Sequence, residues 1–528
     1  MKVHHFVVAC FGLSVFAAAG AHADVTVGGL FSEHMVLQRD VPLPVWGTAE
    51  PDEVVTVTVD GRSAAVRADA QGRWQVKLDP LSAAGPHQMV ISGQNTITID
   101  DVLVGEVWIC SGQSNMAFQV QRALNPEEEI TAADHPRIRL FVVPRHPADE
   151  PQTAVNSQWQ VCSPETVGSF SAVGYFFGRD LHKTMDVPVG LIDSSVGGTP
   201  AEAWTPRPAL EAEPDFKPIF ERWARAIANY KPPQDTAKTQ PSGARKKAGK
   251  SAARSRPATQ PASRSSSRPA SRPATRPVVE PRKSPQRPSV LYNGMIHPLI
   301  PYAIRGAIWY QGEGNSRRAY QYRKLFPTMI RNWRQAWGQG DFPFLFVQLA
   351  NYQFQQHEPY ASAWAELREA QLMTLALPAT AMAVTVDIGD PKDIHPLNKQ
   401  EVGRRLALAA RAVAYGEKIP YSGPLYEAMA VEGETIRIRF KHTDGGLAAR
   451  GGEPLKGFAI AGEDRKFVEA DAVVDGNTVV VRSKEVPNPV AVRYAWADAP
   501  ECNLVNGADL PASPFRTDDW PGVTAKEK

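Results

Sequence analysis

The sequence predicts an α/β protein whose main domain is built on a parallel sheet, with a small β-sandwich before it and a β-rich module after it. Three observations carry the prediction. The chain has 528 residues, enough for two or three hydrophobic cores. Its middle alternates short, wholly apolar runs with helical stretches, as parallel strands covered on both faces do. Its two flanks are rich in short strand-like runs bounded by turn residues. The composition (43% apolar, 22% charged, 9% aromatic) excludes wholesale disorder, a collagen-like chain and a polytopic membrane protein.

Residues 1–23 read as a secretory signal. Lys2 is the charged start, residues 6–19 are apolar, and Ala21-His22-Ala23 is a small-residue cleavage site before Asp24. The apolar run is too short for a membrane span. Val7-Val8-Ala9-Cys10 is similar to a lipoprotein cleavage box, but Cys10 precedes most of the apolar run. No later stretch of 18 residues is apolar, so an exported protein, periplasmic or extracellular, with no integral membrane segment is expected. Cys110, Cys162 and Cys502 remain, too few for a disulfide scaffold; a Cys110–Cys162 bridge is one open pairing. There is no CxxC or HExxH, and neither metal nor organic cofactor is expected.

Residues 24–104 form the predicted β-sandwich. Residues 54–59 are a β-branched run followed by Asp60-Gly61, a hairpin turn signal, and further short runs lie at 64–67, 74–78, 89–92 and 96–99. Residues 105–422 form the α/β domain. Its strand candidates are 107–110, 189–192, 303–310, 344–347 and 381–386. The clearest helix runs from Lys399 to Tyr415, with Val402, Leu406, Ala410 and Val413 on one face, Asn398 and Glu401 as a capping pair, and Gly416 as the stop. Residues 231–289 interrupt the domain with a basic Pro/Ser/Arg-rich insert that has almost nothing to bury and is expected to be disordered. The formal charge of +2 conceals this insert, which carries 15 Lys and Arg against two acids. The rest of the chain is therefore net acidic, which argues against a nucleic-acid-binding body. Residues 423–520 return to strand-like runs and form the predicted terminal β-rich module.

Four loops carry candidate chemistry. Ser111-Gly112-Gln113-Ser114-Asn115-Met116 follows the first strand, where ligands bind in open α/β sheets. A helix starting there would lend Ser114 unpaired backbone N–H groups for an oxyanion. Asp193-Ser194-Ser195-Val196-Gly197-Gly198-Thr199-Pro200 follows the next strand and allows close backbone approach at Gly197 and Gly198. Trp309-Tyr310-Gln311-Gly312-Glu313-Gly314-Asn315 offers side-chain amides from Gln311 or Asn315. Asp393-Ile394-His395-Pro396 supplies a base, His395, with Asp393 two residues before it and Asp390 as a second candidate to orient it. Each loop alone has a structural explanation: a glycine turn, a buried polar network around Glu313, a histidine packing at a helix start. Trp108, Trp204 and Trp309 lie near these loops and are candidates for stacking on a sugar, although tryptophan at strand ends more often packs in a core.

In order, a serine, a glycine loop, an amide loop and a late Asp/His loop resemble the SGNH hydrolases. The chain most resembles the sialate O-acetylesterase family of carbohydrate acetylesterases. The segments that carry the resemblance are residues 105–116, 197–204, 309–313 and 393–399, with Met35-Val36-Leu37-Gln38-Arg39 similar to that family's N-terminal β domain. The resemblance implies an SGNH-hydrolase-like three-layer α/β/α domain and a serine esterase acting on O-acetylated carbohydrate. It implies Ser114 as nucleophile, His395 as general base and then acid, and Asp393 as its orienter. It implies an oxyanion hole from the Ser114 N–H, Gly197 or Gly198, and Gln311, with Asn115, Glu313 and Asn315 in support. The same machinery would serve an acetylxylan or other polysaccharide esterase. A glycoside hydrolase using Glu313 and Asp387 and a non-catalytic sugar-binding protein are the rivals.

Overall fold

The computed structural model describes residues 24–232, 280–353 and 360–527. The expected signal and most of the expected insert lie outside the described residues. Residues 280–289, counted with the insert on composition, have a defined place instead. Pro281–Lys283 forms a 3-10 turn, Ser284 and Ser289 are buried, and the Ser289 N–H donates to the Glu202 carbonyl at 2.8 Å.

The N-terminal region pairs strands Thr26–Val27, Leu43–Thr48 and Arg73–Leu78 in one antiparallel sheet. A second sheet holds Val54–Val59, Arg62–Arg67 and Ala84–Ser92. Val54–Val59 alternates between the core and the outside, as its sequence requires, and Asp60 and Gly61 turn the hairpin with φ of 47° and 71°.

One strand, Thr96–Gly112, belongs to both halves of the protein. Its first part pairs antiparallel with Ala84–Ser92, and its second part runs parallel between Val189–Ser195 and Gly306–Tyr310. It therefore passes unbroken through positions 104 and 105, where the sequence pattern changes from one domain to the next. Val36–Gln38 pairs parallel with its middle. Just beyond, the buried Glu106 carboxylate is held by Arg39, by Arg305 at 2.7 Å and by Gln38 at 3.2 Å.

The main sheet runs Trp159–Cys162, His135–Val142, Val189–Ser195, Thr96–Gly112, Gly306–Tyr310, Phe344–Val347, Thr380–Ala383, and only the first of these is antiparallel to its neighbour. Its inner strands are buried throughout, which is why they read as continuous apolar runs. Trp108 and Cys110 point to one face, where Trp108 meets Phe177 edge-on at 5.0 Å in helix Ala172–Met185. Trp309 is in register with Ser111, so it points to the other face, and there it meets Trp333 of helix Ala319–Trp337 at 5.9 Å. Helix Lys399–Val413 packs on the first of these helices and Ala363–Met373 on the second. Asn398 caps Lys399–Val413 by accepting from the Glu401 N–H at 3.1 Å, and Gly416 follows at φ 71°.

The C-terminal region has its own core, with Ile436, Ile438, Phe458, Ile460, Val479, Val481 and Phe515 between sheets led by Thr435–Lys441 and Phe458–Ala461. Among the described residues all three cysteines are free thiols, so Cys110 and Cys162 are not bridged.

Candidate active site

Three neighbouring parallel strands end together, since Gly112 is in register with both Ser195 and Tyr310. The serine, glycine and amide loops therefore leave the sheet side by side at its carboxyl edge. Gly112 makes this possible. Its φ is 139°, and a Cβ there would lie 2.2 Å from the Tyr310 carbonyl oxygen. The next residue, Gln113, anchors the turn: its N–H donates to Tyr310 and its carbonyl accepts from Met116 and Ala117. Ser114 thus stands on a tight turn. The helix expected to begin there is absent, and the nearest helical segment is the short 3-10 turn Val120–Arg122. Backbone N–H groups of the turn, with no helix dipole behind them, are what this loop offers an oxyanion.

His395 arrives from the loop between strand Thr380–Ala383 and helix Lys399–Val413. Its Nε2 lies 2.8 Å from Ser114 Oγ. Asp393 Oδ1 is 3.6 Å from His395 Nδ1 and accepts the His395 backbone N–H at 2.9 Å. Asp390 makes no contact with His395 among the described residues, and its carboxylate accepts the Lys392 N–H at 2.8 Å. Burial lowers the His395 pKa from its ordinary 6.5, the nearby Asp393 opposes that, and Lys399 and Arg122 add to it. Phe118 stacks on the imidazole with ring centres 6.2 Å apart.

Gly197 closes against Ser114. A Cβ at Gly197 would lie 3.3 Å from Ser114 Cβ, and both Gly197 and Gly198 are exposed. The backbone N–H groups of Ser114, Gly197 and Gly198 meet no acceptor among the described residues. A serine hydroxyl, a neutral imidazole and free N–H groups at one solvent-reachable point make an arrangement suited to acyl transfer.

The amide loop serves differently from expectation. Gln311 is fully buried. Its Nε2 donates to Asn315 Oδ1 at 2.7 Å and the Thr199 carbonyl at 3.3 Å, and its Oε1 accepts from the Tyr322 hydroxyl at 3.0 Å. Nothing of that amide is left for an oxyanion. Asn315 is likewise buried and tied to Glu202 and to the Ala201 N–H. The two amides fasten the loop at 311–315 to the glycine loop at 199–202. Trp108, Trp204 and Trp309 are fully buried core residues, out of reach of a sugar.

A profile for carbohydrate esterases of the sialic acid-specific acetylesterase type matches residues 104–233 and 284–412. The mouse sialate O-acetylesterase is 30% identical over 96% of this chain and 97% of its own length. The chain belongs to the sialate O-acetylesterase family. It is a carbohydrate esterase. The human sialate O-acetylesterase is 29% identical over 97% of this chain and 96% of its own. Among solved structures, a carbohydrate acetylesterase from Xanthomonas citri superposes with a TM-score of 0.78 at 38% identity, covering 94% of this chain and all of that one.

Beneath the site of this esterase lies a polar group to which the sequence reading gave no role. Lys399 is fully buried, and its Nζ donates to Asn115 Oδ1 and to the Pro396 carbonyl, each at 2.7 Å. Asn115 Nδ2 donates in turn to Glu313 Oε1 at 2.6 Å and to the Ile394 carbonyl at 2.9 Å. Burial lowers the lysine pKa to about 7, with Glu313 opposing, and burial raises that of Glu313. The available signal was a lysine one helical turn after His395 on the apolar side of an amphipathic helix. Asp387, the other acid of the glycosidase rival, is clamped by Arg405 at 2.6 Å and Arg450 at 2.7 Å, so both its oxygens are occupied.

Proposed function

We propose that this carbohydrate esterase is an exported sialate O-acetylesterase working through a Ser114-His395-Asp393 acyl-enzyme on an SGNH-hydrolase-like three-layer frame. The observation that carries the reading is the 2.8 Å contact between Ser114 Oγ and His395 Nε2 at the carboxyl edge of the sheet. Ser114 Oγ attacks the acetyl carbonyl while His395 takes its proton. The tetrahedral oxyanion is received by the N–H groups of Ser114 and of Gly197 or Gly198. His395 then returns the proton to the departing sugar hydroxyl and leaves an acetyl-serine. Water, deprotonated by His395, releases acetate. Each oxyanion donor is worth roughly 10²- to 10³-fold in turnover. Removing Ser114 costs roughly 10⁴- to 10⁶-fold.

A neutral-polysaccharide acetyl ester is the second reading for substrate. It is kept open because the Xanthomonas citri protein, 38% identical, is a carbohydrate acetylesterase, a class wider than sialate esters. The test uses protein without residues 1–23, beside Ser114→Ala and His395→Ala. Acetate release is measured from p-nitrophenyl acetate, O-acetylated sialic acid and acetylated xylan oligosaccharides. Loss of release in both variants supports the mechanism, and the panel ranks the sugars. Full activity in Ser114→Ala refutes it. For export, the full-length chain is expressed with and without residues 1–23 and located by fractionation. Retention of both forms in the cytoplasm refutes that part.

A further inference from the structure

The two halves of the site come from distant stretches of chain, with Ser114 at the end of one strand and His395 before a late helix. Something must fix their separation to a fraction of an ångström, because small displacements of reacting groups are costly. Direct links are few. Asn115, beside the nucleophile, reaches the Ile394 carbonyl beside the base, and Lys399 completes the join by holding Asn115 and Pro396 together. Glu313 accepts from the same Asn115 Nδ2 and fixes its direction. One ammonium group therefore bonds to the neighbour of the serine and to the neighbour of the histidine.

Its surroundings are equally specific. Phe118 faces His395 with ring centres 6.2 Å apart, and Lys399 Nζ and the Arg122 guanidinium each sit 4.7 Å from the centre of the Phe118 ring. The charged groups acting on the imidazole are thus Asp393, which favours its protonated form, and Lys399 and Arg122, which oppose it.

We propose that Lys399 is a positioning residue for the esterase reaction: it ties the serine loop to the histidine loop through Asn115 and Pro396, and its ammonium group, packed on the same Phe118 ring as His395, weighs against a second positive charge on the imidazole. The charge is present where it is needed. The lysine carries its proton below about pH 7, the range in which His395 would otherwise gain one. Above that range the imidazole is already neutral. Its two acceptors at 2.7 Å, with a buried carboxylate beyond them, hold the ammonium group in one place, as a buried charge requires.

This inference rests on Ser114 and His395 acting as proposed above. The test compares wild type with Lys399→Met, which keeps the length and removes the charge, and Lys399→Arg, which keeps the charge and alters the geometry. kcat, KM and the pH profile of kcat/KM are measured on p-nitrophenyl acetate, with thermal melting as a check on folding. In Lys399→Met, kcat falls roughly 10- to 100-fold with KM held within about twofold. Its acid limb moves up by roughly 0.5 to 1 pH unit, since a positive neighbour of the imidazole is gone. In Lys399→Arg, kcat falls while the limb stays in place. If Lys399→Met does not fold, Lys399→Arg and Asn115→Ala decide: both lower kcat with the limb unmoved. A wild-type kcat and limb in Lys399→Met overturn the inference, as does a lowered kcat with no displacement of the limb. If Lys399→Met fails to fold, wild-type kcat in both remaining variants overturns it. Ser114→Ala is assayed alongside. Activity there refutes the site itself, whereas a dead Ser114→Ala beside a wild-type-like Lys399→Met refutes only the role of the lysine.

Discussion

Replacing Asp393 by asparagine isolates how strongly the acid acts on the base. Asparagine keeps the shape and can still accept the His395 N–H, so the change removes charge and little else. The Asp393–His395 Nδ1 separation of 3.6 Å is longer than a hydrogen bond, and the interaction is chiefly Coulombic. At that distance two unit charges attract by about 1 kcal/mol in water and by about 5 kcal/mol at an effective dielectric constant of ~20. The Asp393 side chain is 59% exposed, so solvent screening places the value near the lower end. Taken as about 1–2 kcal/mol, the loss is roughly 5- to 30-fold in kcat. That is far below the roughly 10⁴-fold cost of disabling a buried triad acid. The assay is kcat and KM on p-nitrophenyl acetate at low and high salt, with a pH profile. Asp393 favours the imidazolium, so its removal moves the acid limb to lower pH. High salt narrows the gap between wild type and variant. A loss near 10⁴-fold would refute the reasoning, and so would an unchanged kcat with an unmoved limb.

Other outcomes follow from the same geometry. In wild type, half-maximal kcat/KM on the acid side falls below pH 6.5, because burial lowers the His395 pKa; a midpoint above that value contradicts the desolvation argument. Gly112→Ala drives a Cβ into the Tyr310 carbonyl and costs roughly 3 kcal/mol or more, read as a fall in melting temperature; an unshifted melt shows that the strand end can yield. Gly197→Ala presses a methyl on Ser114 Cβ at 3.3 Å, and kcat falls roughly tenfold while melting stays near wild type; unchanged turnover shows that the loop gives way instead. Cys110 and Cys162 are buried, with thiols raised by desolvation, that of Cys162 to about 12. They resist iodoacetamide until denatured, and reductant leaves the melting temperature alone; a reductant-sensitive melt would reveal a bridge.

Much of the fold was legible because parallel strands buried on both faces leave unbroken apolar runs, and because Asn398, Glu401 and Gly416 mark a helix at both ends. That Ser114, Gly197 and His395 come together was legible because a serine, a glycine loop and an Asp-x-His stand in that order after strands of one parallel sheet. The roles of Gln311 and Asn315 were not. An amide aimed at an oxyanion and an amide buried in a network look alike in one dimension, and only Tyr322, eleven residues on, and Thr199 reveal which this is. The length of Thr96–Gly112 was hidden by Asp100-Asp101 and Gly105, which read as breaks. Asp101 indeed takes φ of 53°, yet the pairing continues past it. Lys399 escaped because a lysine at a helix start reads as solvated, and its side-chain acceptor, Asn115, lies on a loop 284 residues earlier.

The strand shared by the two halves has a consequence for anyone wishing to trim or recombine this esterase. The front module acts as a splint for the serine loop, since the strand that begins in its sheet ends two residues before Ser114. A chain started at Gly105 would deprive that strand of Val36–Gln38 and of the Ala84–Ser92 ladder. It would also take Arg39 and Gln38 away from Glu106 and leave that carboxylate to Arg305 alone. A minimal catalyst must carry its front module along, and chimaeras between relatives should place their crossovers outside residues 96–112.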